Sequence, residues 1–191
     1  MRRSNPLLVV CLLLPFAGAC GSSPATRYYT LAPAAEPASA RSSISVVVGP
    51  VTIPAVVDRP QFVVKTAPNQ IGLDEFNQWA SPLQNNIARV VVEDLVALLG
   101  TPRVILNGDA EYRAAIEVQR FESAPGEAAV LDAVWSVRRM KDGKIETGRT
   151  TAREAVQERS YNALAAAHSR AVARLSRDIA NAVLAFDRSA L

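Results

Sequence analysis

The sequence has little of the material from which metal sites and thiol chemistry are built. It contains one histidine and two cysteines in 191 residues, and aromatic residues make up only 6%. With a single histidine, no set of paired histidines or of histidine with cysteine can form the usual zinc site. The sequence therefore predicts neither a metal site nor a bound cofactor.

Motifs of the common enzyme classes are also missing. The chain has neither the Gly-x-Gly-x-x-Gly turn nor the Gly-x-x-x-x-Gly-Lys loop that cradles phosphates, and no Gly-x-Ser-x-Gly presents a serine nucleophile. The adjacent acids Glu93 and Asp94 diverge by about 100° on a helix, so they cannot act together on one substrate. Asp94 falls near the apolar stripe, which favours a hydrogen-bonded structural carboxylate. His168, on the apolar stripe of the last helix, is expected to be a packed or edge histidine, with a pH-sensitive contact as the alternative. These absences predict a protein that is not an enzyme.

No apolar run is long enough to cross a bilayer. The longest, residues 7–16, has ten residues, and a spanning helix needs about 20. It follows Arg2 and Arg3 and leads through small residues into Cys20, an order typical of a secretory signal peptide whose end resembles a bacterial lipobox. Residues 1–19 are predicted to be removed, with Cys20 then lipidated as the first mature residue. Ordinary secretion with Cys20 as a free thiol is the alternative.

Cleavage changes the charge and the thiol count. The mature chain keeps 19 of the 21 basic residues against 18 acidic ones, because Arg2 and Arg3 are lost. A net charge of +1 does not indicate nucleic-acid binding. Loss of Cys11 leaves Cys20 alone, so no intramolecular disulfide is expected. Acyl chains on Cys20 would anchor the chain to a membrane.

The mature chain divides into a tether and one domain. Residues 20–43, rich in Ala, Pro and Ser, are predicted to be a flexible tether that includes a short strand at 28–31. Residues 44–191 are predicted to form a single domain, because apolar alternation and helical periodicity begin near Ile44.

Within the domain, strands precede a helix, and an antiparallel meander precedes a second helix. Ser81 is predicted to cap the first helix, with Pro82 in its first turn and Gly100 at its end. Asp142-Gly143 predicts a tight hairpin turn. Ser160 is predicted to cap a final helix of about 27 residues. This order predicts an α+β two-layer sandwich, with a mostly antiparallel sheet and both helices on one face.

Several strings resemble the auxiliary lipoprotein family of ABC-type lipid transport systems, the PqiC-like group. They are Tyr28-Tyr29-Thr30-Leu31 after the lipobox cysteine, residues 48–54 (VGPVTIP) leading to Asp58-Arg59-Pro60-Gln61, and Asn77-Gln78-Trp79-Ala80-Ser81-Pro82-Leu83. The resemblance covers nearly the whole mature chain.

The resemblance implies a non-enzymatic lipoprotein anchored on the periplasmic face of the outer membrane. Its implied partners are an MCE-type lipid carrier and an inner-membrane ABC permease and ATPase, and a second copy of the chain is a further candidate. Gly21 in place of Asp after the cysteine is similar to lipoproteins sorted to the outer membrane. The alternative is an envelope lipoprotein that assists cell-wall synthesis or outer-membrane biogenesis.

Candidate partner contacts follow from the motif strings and from one basic helix face. Trp79 is assigned to the core or to a partner anchor, and the basic face to solvent, an acidic partner or lipid headgroups. The candidates are Asp58, Arg59, Pro60, Gln61, Asn77, Trp79, Pro82, Arg170, Arg174 and Arg177.

Overall fold

The computed structural model describes residues 24–39 and 41–188; the predicted signal peptide and Cys20 lie outside these residues. This part of the chain forms eight strands and two helices, with four strands before each helix. They are β1 (Arg27–Tyr29), β2 (Val46–Thr52), β3 (Gln61–Ala67), β4 (Gln70–Trp79), α1 (Leu83–Leu99), β5 (Val104–Ile105), β6 (Tyr112–Ala124), β7 (Ala128–Arg139), β8 (Ile145–Ala155) and α2 (Tyr161–Arg188).

The five-stranded sheet has the order β5-β2-β6-β7-β8. Strands β6, β7 and β8 form the predicted antiparallel meander, whereas β2 lies parallel to both β5 and β6. Gly148 on β8 lies directly beneath the indole of Trp135, where a Cβ atom would come within 2.2 Å of the ring. Only glycine leaves room for the tryptophan at this position of the meander.

The three-stranded sheet has the order β1-β4-β3, with β1 parallel and β3 antiparallel to β4. A bulge interrupts β4, because Gln61 pairs with Gln78 while the next residue, Phe62, pairs with Asp74. The Asp74 carboxylate stabilises this bulge by accepting backbone hydrogen bonds from Phe76 and Asn77, both at 2.9 Å. We call the three-stranded sheet the small sheet and the five-stranded sheet the large sheet.

Both helices pack on the large sheet, as the α+β sandwich requires: α1 contacts β2, α2 crosses β7 and β8, and the helices contact each other. Gly100 ends α1 in the left-handed conformation at φ 62°, as predicted. Ser160 caps α2 through its hydroxyl, which accepts the Ala163 N–H at 3.1 Å. The predicted Ser81 cap is wrong, because Pro82 occupies the cap position of α1 and no side chain bonds there.

Residues ahead of Ile44 also contact the rest of the molecule. Strand β1 pairs with β4, and Leu31 is fully buried in the core. Buried Asp94 on α1 accepts the N–H groups of Ala34 and Ala35 through Oδ1, both at 3.0 Å, and the Ser176 hydroxyl through Oδ2 at 3.1 Å. Much of the segment assigned to the tether is therefore fastened to the domain, through the pairing of β1, the buried Leu31 side chain and backbone hydrogen bonds to α1.

Candidate functional site

Two of the segments singled out in the sequence meet at a surface groove of about 390 Å³. We call it the motif groove. The loop between β2 and β3 forms one wall, and the end of β4 with the start of α1 forms the other. Its lining residues are Tyr28, Asp58, Arg59, Pro60, Gln78, Trp79, Ala80, Ser81 and Pro82.

Backbone hydrogen bonds hold the walls of the motif groove together. The Trp79 N–H donates to the Pro60 carbonyl at 2.7 Å, and the Ala80 N–H donates to the Tyr29 carbonyl at 2.8 Å. These bonds join three stretches that are remote in sequence. The groove is therefore fixed by main-chain contacts, and its exposed side chains can change without loss of its shape.

Arg59 carries the one unusual polar group of the groove. Its Nε is buried yet has no hydrogen-bond partner among the described residues. A buried donor without an acceptor costs about 1 to 3 kcal/mol of folding stability. The Nε itself is closed to solvent, so an acceptor supplied from outside the chain would bond the terminal nitrogens of this half-buried guanidinium instead.

Trp79 contributes to the groove through its position, and its side chain points into the core. The residue is 5% exposed, and its ring stacks on Phe62 with centroids 4.3 Å apart. Edge contacts to Phe121 and His168 complete its surroundings. The sequence predicted that Trp79 is either a core residue or a partner anchor. Its burial supports the core role and contradicts the anchor role, because an anchor must reach the surface.

Gln61 and Asn77 flank the groove without lining it. The Gln61 amide donates to Glu75 at 3.2 Å on the surface. Asn77 Oδ1 accepts the Tyr29 hydroxyl at 2.8 Å and so helps to hold β1 against β4. These two contacts position strands next to the groove.

The basic face of α2 lies apart from the groove and is partly used within the chain. Arg170 and Arg174 reach Glu154 on β8, with their Nε atoms 3.1 Å and 2.7 Å from its carboxylate oxygens. Arg177 is exposed and makes no ion pair within the described part of the chain. The two paired arginines cover a mostly buried glutamate, so their first role is structural.

His168, the sole histidine, forms a buried pair with Ser123. The Ser123 Oγ and His168 Nε2 lie 2.8 Å apart, and the imidazole stacks on Phe121 at 3.8 Å. Burial lowers the pKa of His168 to about 3, so the ring is neutral at neutral pH. Its Nδ1 is buried and has no partner among the residues described. A hydrolytic triad needs an acid at that nitrogen, so the geometry supports a packed histidine.

No group of three or more histidine, cysteine, aspartate or glutamate residues suited to a metal occurs between residues 24 and 188, residue 40 aside. No helix in the same part of the chain is both long enough and apolar enough to cross a membrane.

Sequence reasoning missed Tyr28, Gln78, Ala80 and Ser81 as groove residues, although all four lie in the quoted motif strings. Their proximity comes from the parallel pairing of β1 with β4, which places Tyr28 beside Gln78. This pairing joins only three residues of each strand, and the two strands are fifty residues apart in the chain. Such a short and distant pairing leaves no periodic signal in the sequence.

Comparison with known proteins gives a family and a fold. The family model described as ABC-type transport auxiliary lipoprotein component matches residues 29–180. A crystal structure of a Xanthomonas campestris protein of family DUF330 is similar, with TM-score 0.74 and 19% identity over 86% of this chain and 99% of that chain. An uncharacterized protein of known structure has TM-score 0.72 and 19% identity, covering 84% and 99%. No similar chain was found among curated proteins.

Proposed function

We propose that this chain, which belongs to the family of ABC-type transport auxiliary lipoprotein components, is a non-enzymatic docking protein of the outer membrane. In this proposal Cys20 carries the lipid anchor and the domain faces the periplasm. The motif groove binds a component of an MCE-type carrier assembly, which moves lipid or another hydrophobic compound and is driven by an inner-membrane permease and ATPase.

The convergence of the two family-like segments on one groove carries the proposal. Asp58, Arg59 and Pro60 come from one segment and Pro82 from the other, and all four line the same cleft. The half-buried Arg59 guanidinium makes no hydrogen bond within the described residues, and its terminal nitrogens suit a partner that supplies a carboxylate or carbonyl oxygen. The only histidine is buried and neutral, which supports a binding role over a catalytic one.

Lipidation is the first testable part of this proposal. Cys20→Ser should move the mature protein from the membrane fraction to the soluble periplasmic fraction, because the substitution removes the acylation site. The measurement is fractionation followed by immunoblotting, with intact-mass analysis of the unaltered protein as the companion. Membrane association unchanged in the variant would contradict a lipid anchor at Cys20.

Docking through the motif groove is the second part. Arg59→Met should weaken capture of the carrier component about tenfold or more, since a charge-assisted hydrogen bond contributes about 1.5 to 3 kcal/mol. The melting temperature should stay the same or rise, because the variant removes an unsatisfied buried donor. Pull-down from cells that express the transport operon, together with thermal unfolding, measures both quantities.

Arg113→Met is the matched control. Arg113 lies on β6, is half-buried like Arg59, and is absent from the groove lining. The Arg113→Met variant loses the same charge as Arg59→Met. Because Arg113 lies outside the groove, this variant should bind the carrier component normally. If both variants bind equally well, the groove is not the docking site; if both weaken equally, the effect is one of net charge.

A further inference from the structure

We infer that one face of the small sheet rests on the membrane surface and orients the domain there. Residues on this face share one side of the sheet by strand register. Tyr28 pairs with Gln78, Gln61 with Gln78, Val63 with Leu73, and Lys65 with Ile71. We call it the outer face; its members are Tyr28, Gln61, Val63, Lys65, Ile71, Leu73 and Gln78. Tyr28 and Gln78 also line the motif groove, so the groove opens along the edge of this face and a docked carrier component would lie at the membrane surface. The inference rests on the lipid anchor in the proposed function.

The outer face is unusually apolar for a surface. Tyr28 is 65% exposed, Ile71 52% and Leu73 44%, whereas Phe62 and Trp79 on the opposite face are buried. Three of the nine large apolar side chains that are exposed in the described residues therefore lie on the outer face. A cluster of exposed apolar side chains on one sheet indicates a contact surface.

The length of chain between the anchor and the fold favours a bilayer as the contact. Cys20 and Arg27 are seven residues apart, so they are separated by at most about 25 Å of extended chain. About 5 to 8 Å of this is taken up by the headgroup layer. A domain that began at Ile44 would instead have about 80 Å of tether. The anchored end therefore brings β1 close to the membrane.

Strand β1 is also an edge strand of the sheet that carries the apolar face. The first element after the anchor contributes Tyr28 to that face, and tyrosine is enriched where membranes meet water. Lys65 lies on the outer face, and the exposed Glu75 carboxylate lies beside Gln61 on the same face, so the face carries little net charge. The occupant we infer is thus a bilayer, held by apolar contact rather than by charge.

A single-cysteine probe tests this placement in the full lipidated chain. The mature sequence has no cysteine besides acylated Cys20, so Leu73→Cys can be labelled alone with an environment-sensitive fluorophore. Ile145→Cys, at a matched 49% exposure on the edge of the large sheet, is the control. Both proteins are reconstituted into vesicles of phosphatidylethanolamine and phosphatidylglycerol, some carrying a nitroxide lipid.

Lipid-borne nitroxide should quench the probe at residue 73 at least about threefold more than the probe at residue 145, since contact quenching requires proximity to the bilayer. Ile71→Asn added to Leu73→Cys should reduce this quenching. Equal quenching at both positions would overturn the inference. Shielding of the residue 73 probe only after the carrier component is added would also overturn the inference, because it would indicate that another protein covers the face. Shielding only at high protein density would overturn it as well, because it would indicate a second copy of the chain.

Flotation separates this inference from the anchor on which it rests. If the labelled protein floats with the vesicles but residue 73 is not quenched, the anchor stands and the outer-face contact fails. If the protein does not float, the anchor itself fails, and labelling of a free Cys20 thiol would reveal the reason.

Discussion

Replacing Trp79 by alanine should lower the free energy of unfolding by about 3 to 5 kcal/mol, the usual cost of removing a large aromatic side chain from a core. Trp79 stacks on Phe62 at 4.3 Å and contacts Phe121 and His168, so its loss opens a cavity where the small sheet meets β6 and α2. A typical domain is stabilised by only about 5 to 15 kcal/mol, so this loss would be a large part of the total. Urea unfolding measures it.

Two variants bracket this result. Trp79→Phe keeps an aromatic ring on Phe62 and should cost clearly less than the alanine variant. Tyr28→Ala changes an exposed aromatic residue on a neighbouring strand and should alter stability by no more than about 0.5 kcal/mol. If Trp79→Ala leaves stability intact and abolishes carrier binding, the partner-anchor interpretation returns and the burial described here is not the state in solution.

Removing the Asp94 carboxylate should be the other severe change. Asp94→Ala leaves the N–H groups of Ala34 and Ala35 without their acceptor. A buried unsatisfied donor costs about 1 to 3 kcal/mol, and the cost is smaller at Ala34, which is exposed and can be solvated. Ser176 loses less, because its hydroxyl lies 3.0 Å from the Val172 carbonyl and can bond there. We expect a loss of about 2 to 4 kcal/mol, with faster hydrogen exchange at residues 32–38.

Asp94→Asn is the informative control. Burial raises the pKa of the Asp94 carboxyl, while hydrogen bonds from Ala35, Ala34 and Ser176 lower it, and the net shift is upward. The buried site therefore favours the neutral form of the Asp94 carboxyl more than water does. An amide oxygen can accept the same two N–H groups, and its NH₂ can donate to Ser176, so we expect a change within about 1 kcal/mol. A loss as large as that of the alanine variant would show that the charge itself is required.

Sequence reasoning predicted the parts of the fold that local chemistry specifies. Gly100 ends α1 because glycine adopts the left-handed conformation without a Cβ clash, and Ser160 begins α2 because its hydroxyl accepts an N–H. Alternating apolar residues identified the meander, and the quoted strings identified the family. Each of these signals lies within a few residues of the feature that it predicts.

Contacts between distant segments could not be predicted in the same way. Ala34 and Ala35 bind Asp94 through backbone N–H groups that every residue except proline carries, so an Ala- and Pro-rich stretch appeared to be free tether. The parallel pairing of β2 with β6 and the Ser123–His168 contact depend on folding across large sequence separations. For the same reason the motif strings could be named as contacts, while the groove that they form could not.

The distribution of the two tryptophans gives this molecule a built-in pair of spectroscopic reporters. Trp79 belongs to the small sheet and lies among aromatic rings, whereas Trp135 belongs to the large sheet, lies over Gly148 and donates its indole N–H to Thr150. Variants that keep one indole at a time would emit from one layer only. Coincident fluorescence transitions would mean that both sheets melt as one cooperative unit, and separate transitions would reveal which layer loosens first.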